Sequence, residues 1–236
     1  MNSDIKKEFK EFLKKHPEDA YLKISIFLNN YRIKYEENKI QEYLSQGCDE
    51  ALAHRKSRNS WVAFVGKQLE NLIMMFLEDF CNENNLKMIK GDQLKRSVLN
   101  SEYSSVRRKI QVHFNEYSLL PDADIVIYKK INNTFDVKVI AILSIKNSFR
   151  ERYTETPYWK LKLMQDEVTK PIKVFMVTPD NDDEISFITR NGPKQSRIVL
   201  EYELDSIYLA REEFNGSDKV KGLDQLLIDL KKIINE

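Results

Sequence analysis

The sequence predicts an α/β fold: a mixed β-sheet with helices on both faces, preceded by a helical region. Three observations lead there. Apolar residues recur every three to four positions through most of the first 81 residues, the period of an amphipathic helix. Two β-branched apolar runs, "DADIVIY" and "DVKVIAILSIK", then follow across a short polar break. After them helix-like and strand-like patterns are interleaved, which favours a sheet covered on both sides.

The elements follow in chain order. "IKKEFKEFLKK" puts Ile5, Phe9, Phe12 and Leu13 on one helical face, and "DAYLKISIFLNNYRIKY" is similarly periodic, so helices are expected from Ser3 to about Ala53. In "SWVAFVGKQLENLIMMFLEDFC" the stripe Val62, Val65, Leu69, Leu72, Ile73, Phe76 and Phe80 predicts another helix, with Ser60 as its N-cap. From Asn82 to Tyr117 the pattern is weak and polar, and contains the basic "VRRK" of Val106 to Lys109. The two apolar runs are joined by "KKINNTF", whose Asn132-Asn133 favours a turn, so they read as a hairpin. "TPYWKLKLMQDEV" is expected to be helical, with Thr156 as N-cap and Pro157 in the first turn. "KPIKVFMVTPD" reads as a strand ended by the acidic turn "PDNDDE", "SRIVLEYEL" as another strand, and "GLDQLLIDLKKII" as the closing helix.

Composition narrows the function. No apolar run approaches the roughly 20 residues that span a bilayer, and "MNSDIKKEFKEFLKKH" lacks the apolar core of a secretion signal. Cys48 and Cys81 have no metal-ligand spacing, so a cytoplasmic protein with free thiols is expected. A net charge of +1 excludes a general polyanion coat, yet Lys146, Arg150, Arg152, Lys160 and Lys162 crowd one stretch against only Glu151 and Glu155. A local basic surface on a neutral protein suits an anionic partner that is bound and then released. There is no Gly-rich phosphate loop, Walker signature or Gly-x-Ser-x-Gly, which argues against an ATP-driven motor within this chain.

The chemistry gathers at the hairpin. Alternate strand residues share a face, so Asp122 and Asp124 fall together on the first strand, and Ser144 and Lys146 on the second. A hairpin can thus set one or two carboxylates beside an ammonium. Carboxylate oxygens suit Mg²⁺, which keeps several waters and needs few protein ligands. The Lys can position the attacking water or steady charge building on a phosphate.

These residues carry a resemblance. "PDAD", then 19 residues, then "SIK" resembles the PD-(D/E)xK nuclease signature, with Ser144 where Asp or Glu usually stands. "SRNSWVAFVGKQLENL" is similar to the Arg…Gly-x-x-(Phe/Leu)-Glu helix of many type II restriction endonucleases, with Glu70 at the rim of the apolar stripe and Gly66 a turn earlier, open to a close backbone approach. "SIKNSFRER" resembles the Lys-x-Ser-x-Arg-Glu-Arg segment of restriction endonucleases, among them a group that reads CCGG-type sites. Arg can donate two hydrogen bonds to guanine O6 and N7, and Glu can accept from cytosine N4. Together the motifs span Arg58 to Lys160, about two fifths of the chain.

The resemblance implies a restriction-endonuclease-like fold, with residues 1–55 as a helical N-terminal region and 56–236 as the nuclease domain of one compact unit. It implies Mg²⁺-dependent, sequence-specific hydrolysis of double-stranded DNA by a homodimer, beside a companion methyltransferase acting on the same site. Asp124, Asp122 and Glu70 would hold the metal, with Lys146 and Ser144 positioning water and phosphate. Arg150, Glu151 and Arg152 would read bases, Ser148 would also bind DNA, and Arg107 and Arg108 would contact the backbone. Asp124 is preferred to Asp122 as the main ligand, and Glu151 or Glu155 could replace Glu70. Two alternatives stand beside this reading: a structure-directed repair or recombination nuclease, and a non-catalytic DNA-binding module that retains the fold.

Overall fold

The structure is a computed structural model and describes all residues except 1, 17, 18, 132, 133, 135, 150–152 and 236. It opens on three helices, α1 (Asn2–Lys15), α2 (Ile24–Ser45) and α3 (Glu50–Glu83). Next come β1 (Lys87–Lys90), the single turn α4 (Gly91–Leu94), α5 (Ser101–Ile110), and the small hairpin β2 (Val112–Phe114) and β3 (Tyr117–Leu119). The predicted hairpin is β4 (Ile125–Lys130) and β5 (Val137–Ile145). It leads through α6 (Glu155–Leu163) to β6 (Lys173–Thr178) and a second small hairpin, β7 (Ile188–Thr189) and β8 (Gly192–Pro193). The chain closes with α7 (Gln195–Glu203), β9 (Ser206–Leu209), β10 (Val220–Gly222) and α8 (Gln225–Asn235).

The central sheet runs β1-β4-β5-β6-β9-β10. Its first two pairings are antiparallel, and β5-β6, β6-β9 and β9-β10 are parallel. One face, with Ile125, Ile127, Leu143, Phe175 and Tyr208, packs on α1, α2, α3 and α8 through Phe9, Leu28, Leu69, Leu72 and Leu226. The other, with Val126, Ile142, Val174 and Met176, packs on α5, α6 and α7 through Val106, Leu163 and Leu200. Covered on both faces, β5 reads as a continuous apolar run instead of an alternating one. Its parity slips once: Ile140 and Ala141 both join the first face, beside the register shift between Ile127 and Tyr128. A bulge of this kind adds a residue to one strand and strengthens local twist.

Several expectations need correction. The third helix starts not at Ser60 but at Asp49, whose side chain accepts from Leu52 N at 2.8 Å. Ser60 lies inside the helix, bonded to Tyr35 Oη at 2.7 Å. "SRIVLEYEL" is helix α7, not a strand, because Arg197 and Leu200 form its inward face while Ile198 and Tyr202 point out, the spacing of a helix. The true strand follows Asp205, at Ser206–Leu209. The polar stretch after Asn82 contributes the edge strand β1, and α5 with Asn100 as N-cap to Tyr103 N. α6 starts at Glu155 after Thr154, so Thr156 is not its cap. Position 55, the expected boundary between the helical region and the nuclease domain, lies within the continuous α3. Among the described residues no helix is long and apolar enough to cross a membrane.

Candidate nuclease centre

The site forms where β4 and β5 part at the sheet's end. Asp124 immediately precedes β4, and its amide donates to Leu143 O at 3.0 Å. Its carboxylate reaches across the splayed end to accept from Ile145 N at 2.6 Å, closing the ladder with a side chain. Lys146 continues β5 by donating its amide to Val177 O at 3.1 Å. That fixes the direction of its side chain: Nζ stands 3.1 Å from Asp122 Oδ2 and 3.9 Å from Asp124 Oδ2. Two carboxylates and one ammonium are therefore gathered as the alternation of the two strands predicts.

Glu70 approaches from α3. It is held by Lys90 Nζ at 2.9 Å, and both side chains are about a quarter exposed. Lys90 ends β1, and Gly91 beside it donates to Asp124 O at 3.1 Å. Gly91 is required there: a Cβ would sit 1.8 Å from Ala123 O. Gly66 has no such constraint, since a Cβ there meets nothing within 4 Å, and the close approach expected at Gly66 occurs at Gly91.

Electrostatics single out Asp124. Burial pushes its carboxyl up to about 6; Lys146 and the Ile145 amide oppose the rise, while Asp122 and Glu70 add to it. A buried carboxylate that Lys146 only partly offsets, with two more acids near enough to repel it, lacks positive charge. That is the environment a divalent cation relieves, and the oxygen donors suit a hard ion such as Mg²⁺. No set of three or more acidic, His or Cys groups among the described residues is already gathered for a metal. The carboxylates that could hold such an ion are Asp122 and Asp124, while Glu70 is engaged by Lys90.

Ser144 is not part of this cluster. It is fully buried, and its hydroxyl shares a 2.9 Å hydrogen bond with Thr156 on α6. Strand alternation puts Ser144 and Lys146 on one face, but α6 covers Ser144 and leaves the strand end open. A hydroxyl at 0% exposure cannot touch a phosphate or its water without rearrangement.

Of the other predicted residues, Ser148 lines a groove between α2, α3 and the segment after Lys146. Arg107 lines a second groove with Lys95, Leu120 and Trp159 and donates to Arg96 O at 3.4 Å, and Arg108 is exposed on the same helix. Arg150, Glu151 and Arg152 lie outside the described residues. The segment leading to them is held from the acidic turn after β6. Asp182 accepts from Phe149 N at 2.9 Å, and Asn181 donates to Asn147 Oδ1 at 3.1 Å. Asp180 is itself buried and satisfied by the amides of Glu184, Ile185 and Ser186 and the Ser186 hydroxyl. Sequence reasoning missed Lys90, Gly91, Thr156, Asn181 and Asp182. Only Gly91, a glycine in an otherwise polar stretch, left a signal.

Comparisons with known proteins bear on the family and the fold. A family model described as "BsaWI restriction endonuclease type 2" matches residues 99–229. A protein of Methanocaldococcus jannaschii named "Putative type II restriction enzyme MjaVIP" is 44% identical over 89% of this chain and 92% of its own length. One of Helicobacter pylori named "Probable type II restriction enzyme HpyAORF263P" is 46% identical over 80% of this chain and 95% of its own. Among solved structures, restriction endonuclease PspGI bound to substrate DNA superposes with a TM-score of 0.57 at 13% identity, covering 98% of this chain and 93% of that one, a likeness of fold.

Proposed function

Because this chain belongs to the BsaWI family of type II restriction endonucleases, we propose that the cluster of Asp122, Asp124 and Lys146 is its phosphodiester-cutting centre, dependent on Mg²⁺. The observation that carries the assignment is the convergence of both aspartates on one Lys146 Nζ, at 3.1 and 3.9 Å. A divalent ion held by these carboxylates supplies a Lewis acid for the phosphate and a more acidic water. Asp124 is the principal ligand, being the buried carboxyl with the greatest deficit of positive charge, and Asp122 the second. Glu70 joins them by exchanging its bond to Lys90. Lys146 Nζ orients the attacking water and stabilises the charge that grows on the phosphate oxygens. Ser144 acts indirectly, by tying β5 to α6 through Thr156.

Arg150, Glu151 and Arg152 read G and C edges from a segment that starts four residues after Lys146, so cutting and reading stay in register. A palindromic target calls for two-fold symmetry, so the active form is a homodimer. The cell that makes it also carries a methyltransferase protecting the same site. The deciding experiment is a digest of unmethylated linear DNA of known sequence with Mg²⁺. Discrete fragments sharing one sequence at their ends are expected. A ladder would indicate structure-directed cutting, and Mg²⁺-insensitive binding without cleavage a non-catalytic module.

A further inference from the structure

A groove of about 570 Å³ opens between α2, α3 and the segment that follows Lys146. It is walled by Asn29 and Arg32 of α2, Arg58 and Asn59 of α3, and Asn147 and Ser148. Arg58 is exposed and has no acidic partner among the described residues. Among the described residues Arg32 is paired only with Glu36 on its own helix, across a surface contact that water screens. Asp182 on the rim is turned inward to the Phe149 amide, so its charge is partly neutralised by a donor. Two guanidinium groups, amides and a hydroxyl form the donor set that proteins use on phosphate and sugar. The second groove, with Arg107 and Lys95, is lined by Leu120, two residues before Asp122 in the chain. The α2–α3 groove is lined by Asn147, the residue after Lys146.

We propose that the α2–α3 groove binds the phosphodiester backbone of double-stranded DNA beside the scissile phosphate, through Arg58 and Arg32. The inference rests on the nuclease reading above and gives the helical N-terminal layer a function. That layer lies outside residues 99–229, which the family model matches. Backbone contacts position a duplex without reading it, so these arginines govern affinity and not sequence preference.

The test uses the full chain and a labelled 30-base-pair duplex of arbitrary sequence, titrated in EDTA from 50 to 200 mM KCl. Removing one arginine that neutralises a phosphate should lower the log K against log[salt] slope by about 0.9. Arg58→Ala and Arg32→Ala should each weaken binding several-fold with that change of slope, equally on a second duplex of unrelated sequence, and Arg58→Lys should restore the slope. Thermal melts confirm that the variants fold. If wild-type protein binds with a steep salt dependence and the double variant keeps it, the groove proposal fails while the nuclease reading stands. A weakening confined to one sequence would equally overturn it, by making the arginine a base reader. If wild-type protein binds neither duplex, the groove proposal fails, and the Mg²⁺ digest alone decides the nuclease reading.

Discussion

Lys146 and Asp122 face each other at 3.1 Å across the point where β4 and β5 separate. Neither needs the other for folding, since both are partly exposed at a strand end. An ion pair so placed contributes little to stability, typically under about 1 kcal/mol. Its use is to keep an ammonium beside the carboxylates. Lys146→Ala should leave duplex binding nearly unchanged while cutting single-turnover cleavage by at least ~10²-fold, and should lower the melting temperature modestly at pH 7.5 because Asp124 loses its neighbouring ammonium. Cleavage at the wild-type rate would remove Lys146 from the centre.

Asp124 links the site to stability. Its carboxyl is raised to about 6 in the fold, against an ordinary 3.8, so the folded protein holds this proton more tightly than the unfolded chain. Stability without metal therefore falls as pH rises from about 4 to 6, and the full penalty, on the order of 1–3 kcal/mol, persists above 6. Asp124→Asn should be more stable than wild type at pH 7.5 in EDTA, with the difference vanishing near pH 4. Urea melts at the two pH values measure it. Added Mg²⁺ should stabilise wild type and not the variant, and equal stability in EDTA at pH 7.5 would contradict the burial argument.

Glu70 is bonded to Lys90 at 2.9 Å, so its service to a metal requires releasing that partner. Glu70→Gln should raise the Mg²⁺ concentration for half-maximal cleavage by about tenfold or more, the loss of one charged donor in a site with few ligands. Cleavage rates across a Mg²⁺ series report this directly. An unchanged midpoint would pass the role to another carboxylate, Glu155 being the nearest in sequence to the reading segment.

Asp182 holds the Phe149 amide at 2.9 Å, one residue before the proposed base readers. Removing the acceptor leaves that amide unpaired and the segment free to shift, at a cost of about 1–3 kcal/mol. Asp182→Ala should lower the ratio of cleavage at the recognised site to that at a site altered by one base, by roughly 5- to 100-fold, and Asp182→Asn should restore it. A ratio that stays constant while both rates fall equally would make Asp182 a purely structural residue.

Much of this is readable from local chemistry. The β4–β5 hairpin, its carboxylates and Lys146 follow from strand alternation, a rule that needs only neighbours in sequence. α3 is visible from its stripe, but its start is not, because the apolar period begins well after Asp49. α7 deceives because "RIVLEYEL" is rich in β-branched and aromatic residues, and burial of Leu200 against α6's side of the sheet outweighs that propensity. The strand β1 is hidden because an edge strand of four mostly polar residues carries no period.

Which groups could do the chemistry, and on which strand faces they lie, is set by residue order, because backbone geometry dictates alternation. How they are used depends on long-range packing. Packing of α6 on β5 turned Ser144 inward to Thr156, and the approach of Gly91 to Ala123 brought Lys90 to Glu70. Those contacts join residues 12 and 20 positions apart, and their partners are selected by the shape of surfaces that exist only once the sheet and helices have packed.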